Sequence, residues 1–329
     1  PAFAEQIFNQ IKGFGEYGFP ESHSASFALL VYVSAWLKCH EPAAFFCALL
    51  NSQPMGFYAP AQLLRTASRQ GVTVHPVRLD ASRWDSSLER DPRGRPGIRL
   101  GFRLVKRLSR AGADRIEAAR SERAFADLED LARRASLDQR DIGALAAAGA
   151  LKPLADHRHR ARWEAAGVDC GAPLLANTRI PEGIPILRRP SEGEDIVADY
   201  AATGLSLGRH PLTLLRSRLD AMRMRPAAAV HELAHDEWTA AAGLVITRQR
   251  PASASGVVFV TLEDETGYLN LIVWERLARR ARRALLESRL MGVRGRVQRD
   301  GQVLHIIATN LLDLSHLLGR LVTRSRDFQ

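Results

Sequence analysis

Apolar residues recur at helical spacing through "FAEQIFNQI", stop at Gly13, and resume beyond Ser22 and Ser24. There Phe27, Leu30, Val31 and Leu37 trace one face of a 3.6-residue period, while Leu29, Val33 and Trp36 fill the other side. The pattern predicts a helix capped by Ser22 or Ser24 and buried all round. Pro42 and Pro60 stand where further helices start, the first "PAAFFCALLNSQ" and the second ending at Gly71. A short strand, "VTVHPV", closes this helical unit, and "SSLERDPRGRPG" reads as a turn-rich connector. Short helices follow from "RLVKRLSRAG" to "ALAAAGAL", and the stretch from Pro173 to Pro190 is proline-rich and aperiodic, as an extended linker is. Helical spacing returns in "EDIVADYAATGLSLGRHPLTLLRSRL".

The last third changes period. "TAAAGLVITRQRP", "GVVFVTLEDETGYLNLIVW" and "RLMGVRGRVQRDGQVLHIIATNLL" alternate apolar and polar positions and are rich in Val, Ile and Thr, with hairpin turns at "EDETG" and "RDG". One basic helix, "ERLARRARRALLESR", is expected between the third and fourth of five strands. That order is the order of an OB-fold, a small barrel whose strand face and loops bind single strands. The fold class is therefore multidomain: mainly α-helical at first, then a C-terminal all-β OB-fold barrel. The segments read as 1–80, 81–170, a linker with short helices over 171–237, the barrel over 238–312 and a tail over 313–329.

Charge sharpens the picture. The 329 residues carry 46 Lys+Arg against 36 Asp+Glu, a formal net charge of +10, and the only lysines are Lys12, Lys38, Lys106 and Lys152. Guanidinium offers a planar fork of donors to phosphate, so the balance points to a polyanionic partner. A GC-rich genome would also exchange lysine for arginine. Cys39, Cys47 and Cys170 show no metal or redox spacing and read as core residues of a cytoplasmic protein. The uncharged stretch "ASFALLVYVSAWL" is too short for a membrane span, and no signal peptide precedes it.

Two motifs suggest catalysis, and each has a plainer reading. "HELAH", from His231 to His235, matches the H-E-x-x-H zinc pattern, yet Asp236 and Glu237 follow where a buried metalloprotease helix needs apolar residues. Glu263, Asp264 and Glu265 gather carboxylates on a hairpin whose Gly267 marks a tight turn, so a solvated turn is expected, not a cation site. No metal site is expected, and no catalytic residue is assigned. The barrel carries the stronger signal: Arg248, Arg250, Arg294, Arg296 and Arg299 lie on or beside strands, with Phe259, Tyr268 and Trp274 as candidates for stacking bases. Alternation turns some of these aromatics into the core.

Longer motifs carry a resemblance. "IKGFGEYGFPESHSASFALLVYVSAWLKCHEPAAFFCALLNSQPMGFY" is similar to the end of the fingers of bacterial C-family DNA polymerases, the alpha-subunit group. "HPVRLDASRWDSSLE", "DYAATGLSLGRHPL", "GLVITRQRP" and "VVFVTLEDETGYLNLIVW" resemble its error-prone, damage-inducible branch. The resemblance implies the C-terminal third of a nucleotidyltransferase acting in translesion synthesis. The palm aspartates and their Mg2+ would lie outside this chain, leaving it inactive alone and without a cofactor of its own. It places Tyr17, Phe19, Ser22 and His23 near the nascent base pair, with Pro20 and Glu21 where relatives often carry Asn-Lys. It reads "VKRLSRAGADRI" as a helix-hairpin-helix, in which Arg107 and Ser109 replace the hairpin glycines and Lys106, Arg107 and Arg110 face duplex backbone. The implied partners are primer-template and single-stranded DNA, the remainder of the polymerase, and a mutagenesis partner that holds the sliding clamp. The alternative is a non-catalytic single-stranded-nucleic-acid-binding OB-fold adaptor.

Overall fold

The computed structural model describes residues 5, 8, 21–55, 58–168, 185–251, 256–301, 303–321 and 325–328. Two compact units emerge, one formed by Pro1–Pro76 with Ala81–Phe102, the other by Val77–Asp80 with Arg103–Gln329.

In the first unit, α1 (Glu21–His40), α2 (Pro42–Asn51) and α3 (Pro60–Arg69) pack in sequence. Pro42 and Pro60 each occupy the first turn, where their missing N–H costs nothing. Ser22 and Ser24 lie within α1, not at its cap. The expectation of an all-round buried helix is overturned: Leu30 is 61% and Tyr32 69% exposed, and Leu29, Val31 and Trp36 are exposed too. Among the described residues of this unit its main packing partner is α2, which leaves most of its apolar surface uncovered. Cys39, on the same helix, is likewise exposed instead of buried, while Cys47 on α2 is buried. Cys170 lies outside the described residues, as does the expected linker up to residue 184.

The connector is also more ordered than its composition suggested. β1 (Val74–His75), β2 (Ser87–Arg90) and β3 (Pro96–Arg99) form a sheet in the order β1-β3-β2. Asp91 closes the β2–β3 hairpin by accepting from the amides of Arg93 and Arg95, both at 2.8 Å. The side-chain amide of Asn51 then ties α2 to this sheet, donating to Ser86 O and accepting from Ser86 N, each at 2.8 Å.

The second unit begins with helices α4 (Arg110–Glu122), α5 (Leu128–Arg134), α6 (Gln139–Ala148), α7 (Lys152–Ala155) and α8 (Arg158–Gly167). After them come α9 (Glu192–Ala202), α10 (Pro211–Ala221) and α11 (Ala227–His231). Arg158, buried on α8, forms ion pairs with Asp195 and Asp199 and so fixes α9 against the preceding helices.

Strands β4 (Trp238–Gln249), β5 (Val258–Glu263), β6 (Tyr268–Val273), β7 (Leu290–Asp300) and β8 (Val303–Asp313) follow. Their order is β5-β6-β8-β7-β4, and a further β4–β5 pairing closes the barrel. The β6–β8 pair is parallel and the other barrel pairs antiparallel, which is the OB-fold arrangement. The expected single helix between β6 and β7 is broken at Ala281 into α12 (Glu275–Arg280) and α13 (Arg282–Glu287). The tail adds β9 (Arg326–Phe328), parallel to the end of β4.

Two apolar clusters fix which barrel surfaces stay open. Val245, Val260, Leu262, Leu271, Val293 and Ile306 are among those filling the interior, with Ala227 and Val230 of α11 joining the same cluster. Outside the barrel, Ala242, Leu244 and Leu290 pack with Ile196 of α9 and Leu212 and Leu219 of α10. The outer face is therefore covered over the middle of β4 and open at its start.

Candidate nucleic-acid interface

Residues directly opposite on paired strands share a face. The register places Phe259 opposite Ile272, Ile272 opposite Ile307, Ile307 opposite Arg296, and Arg296 opposite Trp238. This row crosses all five barrel strands on the outer face. Beside it, Thr261, Asn270, His305 and Gln298 form a second row, and Ala240, Arg294 and Asn310 a third. Interior neighbours such as Val260, Leu271, Ile306 and Val297 are buried, so the aromatic and cationic side chains of these rows face outward.

Arg294 and Arg296, predicted on one face of a strand, are both exposed and two apart on β7. Arg296 lies over the ring of Trp238, its guanidinium carbon 5.2 Å from the centroid, and also pairs with Asp236 at 3.5 Å. Trp238 is 58% exposed. The sequence reading missed it, although its place two residues before Ala240, on a strand whose odd positions Ala241 and Val245 are core, was a usable signal. Phe259 and Tyr268 are half-buried at outward positions, Trp274 is 55% exposed just beyond β6, and Arg250 is exposed at the end of β4.

Two arginines expected at this interface are engaged elsewhere. Arg248 is 6% exposed and donates to Leu285 O at 2.5 Å, Ser288 O at 2.6 Å and Ser325 Oγ at 2.5 Å. A register shift between Val245 and Thr247 breaks the alternation and turns its side chain toward the end of α13. Arg299 donates to the carbonyls of His231 and Leu233, at 2.5 and 3.1 Å, and so holds the "HELAH" segment against the barrel.

That segment is not a continuous helix, because α11 ends at His231. His231 Nε2 meets Tyr268 O at 2.9 Å, whereas His235 Nδ1 accepts from Arg299 N at 3.1 Å, so the two imidazoles serve separate backbone groups. The acidic turn departs from expectation: it is buried instead of solvated. Asp264 is 3% exposed and accepts from the amides of Thr266, Gly267 and Ala227, while Glu265 pairs with Arg216 at 2.6 Å. Its carboxylates anchor the start of α11 and a cation of α10. Among the described residues no three His, Cys, Asp or Glu come together as a metal site.

The helical half holds a second surface. Arg107 adopts φ 72°, the left-handed conformation that favours glycine, so the hairpin keeps its turn without its glycine. Two residues on, Ser109 caps α4 through a bond from Gly112 N. The same spacing recurs at Ser136, φ 45°, and the α6 cap Asp138. Asp141 on α6 lashes the two hairpins together, accepting from Ser109 N at 2.8 Å and Ser109 Oγ at 2.7 Å. The Ser109 amide is thus already satisfied. Lys106 is committed too, its ammonium donating to Tyr200 O and Ala201 O at the end of α9. Arg107 is exposed, and Arg110 pairs with Asp114 on the exposed side of α4. Of the residues expected at the nascent pair, Tyr17 and Phe19 lie outside the described residues, and Ser22 and His23 fall in the first turns of α1.

Comparisons with known proteins agree with both halves. Residues 71–161 match a helix-hairpin-helix motif family, and residues 240–314 match an OB-fold nucleic acid binding domain family. Over 326 residues, 99% of its length, the chain is 57% identical to an error-prone DNA polymerase of Alkalilimnicola ehrlichii. The chain resembles error-prone DNA polymerases along its whole length. Polymerases of the same name from Methylococcus capsulatus and Pseudomonas fluorescens are 53% and 54% identical over 99% and 100% of this chain. The chain spans about a third of the length of these polymerases: 32%, 33% and 32% respectively.

Proposed function

We propose that this chain is the DNA-binding and template-positioning C-terminal part of an error-prone DNA polymerase acting in translesion synthesis in the cytoplasm. The observation that carries the proposal is the outer-face row from Phe259 through Arg296 to Trp238, with Arg294 beside it. Aromatic rings offer a face to any base, and guanidinium groups follow a backbone without reading sequence, which suits a template strand of arbitrary and damaged bases. Arg107 and Arg110, on the helix-hairpin-helix, act on the duplex behind it. Nucleotidyl transfer and the Mg2+ it uses belong to the remainder of the polymerase. That remainder also covers the exposed apolar surface of α1, and a mutagenesis partner supplies the link to the sliding clamp. Among the described residues no helix is long and apolar enough to cross a membrane.

The test is affinity for single-stranded DNA across a salt series. Each phosphate neutralised on a single strand contributes about −0.7 to the slope of log affinity against log salt. Replacing Arg294 and Arg296 by serine is expected to weaken binding and flatten that slope by about 1.4. An unchanged slope contradicts the proposal and would mean that the basic face points elsewhere and the barrel serves as a protein-docking module.

A further inference from the structure

A groove of about 460 Å³ opens where the start of β4 meets β7, β8 and the segment joining α10 to α11. It is lined by Arg223, Arg225, Trp238, Thr239, Arg294 and Asn310, among others. Its size falls in the range of roughly 300–1,000 Å³ typical of small-ligand sites. Arg223 and Arg225 lie outside the barrel, on the "MRMR" turn whose Met224 is buried in the cluster between barrel and helices. The backbone holds them in place: Arg225 N donates to Ala240 O at 2.7 Å, and Arg223 N to Asp220 O at 2.8 Å. Arg223 takes φ 58°, a left-handed conformation.

Charge in this groove is uncompensated. Among the described residues, the side chains of Arg223, Arg225 and Arg294 form no ion pair, and no carboxylate lines the groove. Nearby acids are spent elsewhere, Asp220 on Arg216 and Asp236 on Arg296. Three guanidinium groups brought together without a counter-charge repel one another, and an anionic ligand removes that cost. Beside these groups lies the exposed ring of Trp238, one face of which is taken by Arg296.

Resting on the single-strand reading above, we propose that this groove is a nucleotide subsite: one unstacked base lies on Trp238, and the phosphates flanking it are held by Arg223, Arg225 and Arg294. The ligand class is the single-stranded nucleic acid backbone. A base paired within duplex is stacked on its neighbours and cannot offer its face to Trp238. The site extends the interface off the strands β5 and β6, around the barrel to the β4–β7 side, and onto the helical segment.

The experiment uses the whole chain and fluorescein-labelled oligothymidine, read by anisotropy over a salt series. The Arg223→Ser/Arg225→Ser variant is expected to bind about tenfold more weakly, with a slope flattened by about 1.4 for two lost phosphate contacts. Trp238→Ala is expected to weaken binding about tenfold with the slope unchanged, because stacking releases no counterions, and Trp238→Phe to restore most of it. Tyr268→Ala, on the far side of the barrel, serves as the comparison. If it weakens binding while both groove variants leave affinity and slope intact, the subsite is wrong and the single-strand reading stands. A wild-type chain that does not bind the oligonucleotide overturns both. Polyglutamate of equal charge displacing the strand as well as unlabelled oligothymidine also overturns the subsite, since an anion without bases would then suffice.

Discussion

Arg248 and Arg296 look alike in sequence, each an arginine on an alternating strand, yet one is buried and the other open to solvent. The difference lies in the register shift of β4, which alternation in one strand does not reveal, because a bulge is defined by what the partner strand does. Arg248 satisfies two carbonyls near the end of α13, and leaving buried acceptors without their charged donor costs about 1–3 kcal/mol. Arg248→Met is therefore expected to lower the unfolding free energy by about 2 kcal/mol. The salt slope of single-strand binding at a temperature where the variant is folded should stay unchanged. Chemical denaturation and the binding series check both parts, and a flattened slope without lost stability would restore Arg248 to the interface. Arg294, Arg296 and Phe259 were legible as outward-facing residues because β7 keeps register with β4, and β5 with β6, at these positions, the shift beside Arg294 falling against β8. Trp238 and Arg223 were not, since their proximity depends on the turn between α10 and α11.

At the scale of elements, polar residues do what missing glycines and apolar contacts do elsewhere. The helix-hairpin-helix keeps its turn at Arg107 despite the left-handed backbone, and Asp141 locks it to the second hairpin. The link between α4 and α5 hangs on Asp130. Its burial alone would raise its pKa, but the Ala126 amide and then the guanidinium groups of Arg123 and Arg134 outweigh it and hold the carboxyl at about 2. The folded value is depressed below the roughly 3.9 of an unfolded aspartate, so the stabilisation is complete above about pH 4 and lost as pH falls toward 2. Thermal unfolding of the chain and its Asp130→Asn variant is expected to differ at pH 6 and to converge near pH 2; a gap independent of pH would contradict this. The sequence announced these helices and most strands through periodicity. It hid the β2–β3 hairpin, whose two four-residue strands are too short to show a period beside "RDPRGRP". It also hid the break at Ala281, where nothing in composition marks the interruption.

Across the whole molecule, the long shared motifs made the polymerase resemblance readable before any geometry, whereas single contacts were not readable. Motif length records descent; contacts depend on register, burial and competing hydrogen bonds. The net charge of +10 agrees with a nucleic-acid partner but does not locate it. The proposed location rests on the barrel's outer rows, where the exposed ring of Trp238 stands beside Arg294, whose side chain forms no ion pair among the described residues. The central claim is that a single strand lies along these rows. It is tested most directly by photocrosslinking the chain to a single-stranded oligonucleotide carrying 5-iodouracil, followed by mass spectrometry of the attached peptides. The expected result is crosslinks at Trp238, Phe259 or Tyr268, competed by unlabelled single strands and lost at high salt. Crosslinks confined to the helical segments, or none above a duplex control, would contradict the account.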